Sequence, residues 1–350
     1  MEAEDKVVSE VHYFSKEISN YKEDLKGGKG CNVGLNDCLV PKNVGQKPLN
    51  ENELEAKDEG DQYVCLLGAN GQTVLWSPEF ETVLSCFEFC YPESMIKATP
   101  QKIVRASLDK DGDFEVLRKN DQKKKEGRII IEHQRSTTLD LVGEQVWRGA
   151  FYLADFILDN IKTFKGANIL EMASGVGLTS IVAGMLAKKV VITDVNRGDI
   201  LDLIDRNVQR NKDLCKAHSH IKEIDFFDLR CIADLGSLID DVTILLAADV
   251  VYHNQLTDAF LNTVLYLMTR KPNKTMYISL EKRYVFTIED MDTVAPCYEH
   301  FVNGLKWLQN QEKDKITWNI EQLSTGDLFQ YFTYERTKEL VLWKIEAILK

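Results

Sequence analysis

From about residue 129 to residue 280 the sequence alternates between two textures, and that alternation restricts the fold more than any other feature of the chain. Short, mostly apolar runs at 129–133, 168–171, 190–194, 221–225, 242–248 and 275–280 read as strands. Between them, stretches at 147–158, 177–187, 199–211 and 256–268 read as helices, with Ala150, Leu153, Phe156 and Ile157 spaced along one helical face. Strands separated by helices lie parallel through crossover connections, and such crossovers cover both faces of an open sheet. The predicted fold is therefore α/β and Rossmann-like, with a mostly parallel sheet. Two further strand-like runs at 316–320 and 340–345 have no alternating helix between them, which predicts an antiparallel pair at one edge.

Upstream the texture differs. Residues 1 to about 60 are rich in Lys, Glu, Asp and Asn, a composition that buries too little apolar surface to offset ordering, so this part is expected to be largely disordered. A hairpin is expected within 63–76, where Ala69-Asn-Gly71 supplies a turn tolerant of positive φ. Asp109-Lys-Asp-Gly-Asp113 alternates acids as a calcium loop does, but Phe114 and Asn120 stand where such a loop needs a glycine and a bidentate acid. Gln122-Lys-Lys-Lys-Glu126 reads as a solvated linker. The expected division is an extension over 1–128 and a folded domain over 129–350.

The formal net charge of -12 argues against direct nucleic-acid binding and favours a basic partner. No apolar run is long enough to span a membrane, and the acidic start MEAEDKVVSE lacks a secretory pattern, so an intracellular protein is expected, in the nucleus or cytoplasm. The eight cysteines include no CxxC pair, and no metal site is expected.

The strand Asn168-Ile-Leu-Glu171 runs through Met172-Ala-Ser-Gly-Val-Gly177 into a helix. In a doubly wound sheet a ligand sits at the carboxyl ends of the strands where their order reverses, so the run from Glu171 to Gly177, with Ala173 and Gly175 in it, and Asp194 are expected at one crevice. Gly175, Gly177 and Ser180 give GxGxxS, near the dinucleotide pattern, and Asp194 lies about 20 residues on, placed to accept both hydrogens of a ribose diol. Glu171 discriminates between ligands, because a carboxylate at the lip repels a pyrophosphate and accepts hydrogen bonds from an ammonium group. S-adenosylmethionine carries that ammonium and no phosphate, and its carboxylate can use backbone N–H groups where the helix opens near Gly177. Ala173 fits such a loop without strain if its φ is negative.

The run Leu245-Leu-Ala-Ala-Asp-Val-Val-Tyr252 brings Asp249 and Tyr252 to the same rim. Methyl transfer needs an uncharged nucleophile held in line, and no metal. For a lysine amine, Asp249 orients the N–H groups while Tyr252 offers a wall or a hydroxyl. The structural alternative is a strand-end acid that caps the next helix, with the tyrosine packed behind it. An enzyme acting on a nucleobase would more often place a proline-containing loop here; Val250-Val251 has none, which favours a protein acceptor.

In this order, Glu171-Met-Ala-Ser-Gly-Val-Gly177, Asp194, the helix end at 207–211, Glu223-Ile-Asp-Phe226 and Asp249-Val-Val-Tyr252 resemble the seven-strand protein lysine methyltransferases of methyltransferase family 16, over roughly 129–350. Val142-Gly-Glu-Gln-Val-Trp-Arg-Gly-Ala150 and Leu280-Glu-Lys-Arg283 resemble a member that also has a divergent amino-terminal extension. The resemblance implies a seven-stranded class I methyltransferase that transfers a methyl group from S-adenosylmethionine to a lysine of a partner protein, such as a chaperone or a nucleic-acid-associated protein; the enzyme is expected to be a monomer. It implies Trp147 beside the cofactor, Glu171 and Gly175 on its methionine part, Asp194 on the ribose, and Asp225 with Phe226 on the adenine. Ala173, Gly177 and Ala248 complete that set, with Asp249 and Tyr252 as the catalytic pair. Phe226 replaces a usual tryptophan, keeping the ring face and losing the indole N–H, and Ala173 replaces a usual glycine. Two alternatives stay open: a cofactor-binding module without catalysis, and a methyltransferase acting on RNA or a small molecule.

Overall fold

The computed structural model describes residues 7–9, 64–67, 73–76, 82–96, 125–287 and 292–350. The expectations for 10–60, for the acids at 109–113 and for 122–124 fall outside these residues. Two strands, β1 (Val64–Leu67) and β2 (Thr73–Trp76), pair antiparallel; β3 (Thr82–Cys90) adds to β2 and β4 (Glu126–Gln134) adds to β3. Buried Val83, Phe87 and Phe89 of β3 face the core, so packed structure reaches upstream to residue 82.

The chain then forms α1 (Arg148–Asp159), α2 (Ile161–Phe164), β5 (Asn168–Glu171), α3 (Leu178–Gly184), β6 (Lys189–Asp194), α4 (Ile200–Arg210) and β7 (His218–Glu223). After these come α5 (Arg230–Asp234), β8 (Ile244–Ala248), α6 (Asn254–Met268), β9 (Lys274–Glu281), and the short pair β10 (Val285–Thr287) and β11 (Asp292–Val294). Helix α7 (Pro296–Leu308) and strands β12 (Ile316–Gln322) and β13 (Leu340–Leu349) finish the fold. The main sheet has seven strands in the order β12-β13-β9-β8-β5-β6-β7. Strands β7, β6, β5, β8 and β9 are parallel, and β13 runs antiparallel to both β9 and β12. This is the α/β fold with an antiparallel edge pair that the alternation predicts. Helix α7 was not foreseen; Pro296 in its first turn suits a helix start, where the missing N–H costs nothing.

Both sheet faces are apolar because successive side chains on a strand point to opposite sides. Ile169, Val190, Ile192 and Leu246 pack on one side with α1, α3 and α4, while Leu170, Val191, Leu245 and Ala247 pack on the other with α6 and α7. Each fully buried Leu, Ile or Phe of these layers contributes about 1.5–3 kcal/mol.

The edge of β4 is closed in an unusual way. Asn207 and Asn211, one helical turn apart, each accept a backbone N–H and donate to the carbonyl of the same residue: Asn207 with Glu132 (2.7 and 2.9 Å), Asn211 with Ile130 (3.0 and 2.7 Å). Their amides thereby stand in for a neighbouring strand and tie the β1–β4 sheet to α4. This explains the asparagines at the helix end.

Candidate active site

Strand order reverses between β5 and β8, and a cavity opens at the carboxyl ends of these strands. Its wall includes Ala173, Ser174 and Gly175 after β5, Asp194 and Val195 at the end of β6, and Ala248, Asp249 and Tyr252 after β8. Residues 139–147, which include a 3-10 turn at Leu139–Glu144, cover it, and Trp147 and Arg283 close one side.

The loop after β5 alternates into the left-handed region at Ala173 (φ 49°), Gly175 (φ 54°) and Gly177 (φ 82°). This lets Ser174 N–H reach Thr193 O (2.9 Å) and Gly175 N–H reach Asp194 Oδ2 (2.8 Å). Gly175 is required by close approach, since a Cβ there would lie 2.9 Å from Gly143 O of the covering segment. Ala173 has a positive φ, so the condition for an unstrained loop is not met; an alanine in this region costs about 1–2 kcal/mol.

Asp194 is 8% exposed and accepts the N–H groups of Gly175 and Val195 (2.8 Å each). Burial raises its pKa to about 6, against the lowering by those two donors. Asp249 also has a positive φ, 52°. Its Oδ2 accepts Gly149 N–H at the start of α1 (2.6 Å), and its Oδ1 accepts Glu281 N–H at the end of β9 (3.0 Å). A Cβ on Gly149 would fall 2.5 Å from that carboxylate. Asp249 thus caps a helix, as the structural alternative requires, but the helix is α1 rather than the following α6, and the same carboxylate belongs to the cavity wall. Behind it Arg148 pairs with Glu281 (3.0 Å) and Glu335 (2.5 Å), joining α1, β9 and the approach to β13. Tyr252 is 37% exposed at the rim, and burial of its hydroxyl, then the charge of Asp194, pushes its pKa up. Trp147 Nε1 donates to Val142 O (2.8 Å), and the Arg283 guanidinium lies 4.8 Å from its ring centroid.

Of the residues expected at the site, Trp147, Ala173, Gly175, Asp194, Ala248, Asp249 and Tyr252 meet at this cavity. Glu171, Gly177, Asp225 and Phe226 stand outside its wall. Glu171 is 1% exposed and turned under the loop, where it accepts from the Ser180 hydroxyl and backbone N–H and from the Thr179 hydroxyl. Gly177 caps α3, its N–H held by Ser174 O (3.0 Å). Phe226 packs on Phe260 with ring centroids 5.4 Å apart, and Asp225 accepts Phe227 N–H (2.9 Å). Val195, Arg197, Arg283, the covering segment and distant Val7 were not foreseen in the wall, whereas Ser174 lies within the expected run from Glu171 to Gly177. The stretch at 142–150 carried a signal through its resemblance; nothing local marks Val7.

The sequence model of a family described as lysine methyltransferase matches residues 123–295. Methyltransferase-like protein 22 of Homo sapiens is 33% identical over 296 residues, covering 71% of this chain and 73% of that protein. The chain belongs to the lysine methyltransferase family. The Mus musculus methyltransferase-like protein 22 is 37% identical over 232 residues, covering 62% of this chain and 58% of that protein. A Mus musculus protein named as a protein-lysine methyltransferase, METTL21E, is 30% identical over 127 residues, covering 35% of this chain and 51% of its own. Methyl transfer from S-adenosylmethionine to lysine is the activity of this family.

Within this lysine methyltransferase fold Glu171 behaves as a buried, neutral acid. Burial raises its pKa from 4.5 to about 8, outweighing the donors from Ser180 and Thr179. Between these values the folded chain holds a proton that the unfolded chain has released. The contribution is complete at low pH and is lost as pH rises through that window. Glu171→Gln keeps the neutral form, so its stability should decline less than the parent's between about pH 5 and about pH 8. Thermal melting across that range tests this; parallel curves for the two proteins would contradict a buried neutral acid.

Proposed function

We propose that the cavity binds S-adenosylmethionine and that the enzyme methylates a lysine side chain of a partner protein between Asp249 and Tyr252. The observation that carries this reading is the Asp249 carboxylate, fixed by two backbone N–H groups in a wall shared with Asp194 and the left-handed loop. The residues present fit the cofactor. Asp140, Glu144, Asp194 and Asp249 outnumber Arg197 and Arg283 in the wall, which repels phosphates and suits an ammonium group. Ser174 Oγ, also of the wall, is buried without a hydrogen-bond partner among the described residues, a polar atom suited to a polar ligand.

When bound, S-adenosylmethionine supplies an electrophilic methyl group on a cationic sulfonium. Asp194 offers its remaining lone pairs to the ribose diol, Gly175 lets backbone approach the methionine part, and Trp147 and Ala248 form apolar wall. Asp249 accepts N–H hydrogens of the incoming amine and orients its lone pair. Tyr252 bounds the lysine stem at the rim. Desolvation in the covered cavity lowers the amine pKa, which favours the neutral nucleophile. Asp249 opposes that loss of charge while it holds the group in line, so its contribution is one of positioning. The acidic chain suits a basic partner, which we place in the nucleus or cytoplasm, with the enzyme acting as a monomer.

Incubation of the enzyme with cell extract and methyl-labelled S-adenosylmethionine tests the reading. Label should appear on a protein band, survive nuclease and map to lysine by mass spectrometry. Loss of label on nuclease treatment, or label confined to small molecules, would contradict it.

A further inference from the structure

The middle of the cover has its own bonds: Leu141 N–H donates to Thr138 O (3.1 Å), Gln145 N–H to Val142 O (3.2 Å), and Glu144 Oε1 accepts Asp199 N–H (3.1 Å). Its position brings Gly143 O against Gly175. What ties its two ends is a piece of chain 130 to 138 residues upstream. Val7 N–H donates to Thr137 O (2.7 Å) and Thr137 N–H donates to Val7 O (3.0 Å). Ser9 N–H donates to Gln145 Oε1 (2.7 Å), Ser9 Oγ to Val146 O (2.6 Å), and Gln145 Nε2 to Val7 O (3.0 Å). Gln145 Nε2 also donates to Thr137 Oγ1 (2.7 Å), so one amide links both ends of the cover to the upstream segment.

Ser9 is 0% exposed, Gln145 1% and Thr137 6%, and Val7 itself forms part of the cavity wall. Taking residues 7–9 away would leave Gln145 Oε1, Val146 O and the Thr137 backbone N–H and O without these partners. Buried polar groups rarely remain unpaired, so the cover would move to reach water.

We propose that Val7 and Ser9, acting with Gln145, belong to the cofactor site: Val7 completes its wall, and Ser9 and Gln145 position residues 137–147 over it. This rests on the reading that the cavity takes S-adenosylmethionine. The site is therefore assembled from two distant pieces of chain, and cofactor affinity depends on both.

The test compares the full chain, the chain lacking residues 1–9, and Gln145→Leu. Calorimetry measures S-adenosylmethionine binding, steady-state kinetics separates KM for the cofactor from kcat, and hydrogen exchange reads backbone protection. If the cover stays closed in one molecule in ten without its tether, the cofactor Kd rises about tenfold. KM for the cofactor should rise with it while kcat at saturation is retained. Exchange should quicken over 137–147 and stay unchanged in β5 and β6. Unaltered Kd and unaltered exchange would overturn the proposal. So would a loss of protection extending through β5 and β6, which would make residues 7–9 a support of the whole fold. If the full chain binds no S-adenosylmethionine while truncation still quickens exchange over 137–147, the cofactor reading fails and the proposal falls with it, although the tether itself stands.

Discussion

Asp249→Asn is expected to lower kcat/KM for the protein substrate about a thousandfold, leaving cofactor affinity within a few-fold of the parent. The aspartate uses one oxygen for Gly149 N–H and the other for Glu281 N–H, which aims its remaining lone pairs into the cavity. Asparagine offers one oxygen, so its NH2 must face one of these two donors. That leaves a backbone N–H unpaired, at about 1–3 kcal/mol of stability, and also removes the charge that collects a cationic lysine. The loss of activity should far exceed the loss of fold, because orientation and charge act together on the attacking amine. Methyl-transfer kinetics on a lysine peptide, with melting and calorimetric cofactor binding as controls, separate the effects. Turnover within about tenfold of the parent would remove Asp249 from the reaction and leave it as the cap of α1.

The largest effect on stability is expected at Asp155, far from the cavity's carboxylates. Fully buried on α1, it accepts Tyr331 N–H (2.8 Å), Phe332 N–H (3.0 Å), Tyr334 OH (2.9 Å) and Arg336 Nη2 (2.5 Å). Arg336 continues through Nη1 to Leu328 O (2.6 Å), so one ion pair folds 328–336 back against α1. That segment also meets β3, where Cys90 N–H donates to Tyr331 O (3.0 Å). Asp155→Ala leaves a partly buried guanidinium without its anion and three further donors unpaired, and should cost about 3–5 kcal/mol, lowering Tm by about 10 °C. Asp155→Leu combined with Arg336→Met should recover only the part of that loss that comes from the uncompensated charge, because Tyr331 N–H, Phe332 N–H and Tyr334 OH stay unpaired. Calorimetry decides, and a single alanine variant that melts within about 3 °C of the parent would contradict the assignment.

Trp147 aside, which the resemblance marked, the positions readable in the sequence share a physical property: each sits at the end of a strand whose apolar run marks it. Ala173, Gly175 and Asp194 follow β5 and β6, Asp249 follows β8, and sheet topology delivers such strand ends to one crevice whatever the side chains elsewhere do. Glu171 shows the limit of that inference. Its place at the end of β5 was legible, but its direction was not, because Ser180, nine residues on, returns over it with the first turn of α3 and draws the carboxyl inward. The proposed preference for an ammonium over a phosphate then rests on the excess of acids in the wall, Asp140, Glu144, Asp194 and Asp249. Phe226 followed the same course, its ring taken up by Phe260 of α6.

By itself the sequence determined the alternation of strand and helix, the two-sided apolar sheet and the small-residue loop, because these are written in spacings of a few residues. Tertiary structure alone decided the strain at Ala173, the closure of β4 by Asn207 and Asn211, the latch from Asp155 to Arg336, and the joining of Val7 and Ser9 to the cover. Each depends on groups brought together from distant parts of the chain or on a backbone angle set by packing. Such contacts are enforced by the need to pair buried polar groups, and that need leaves no local period to read.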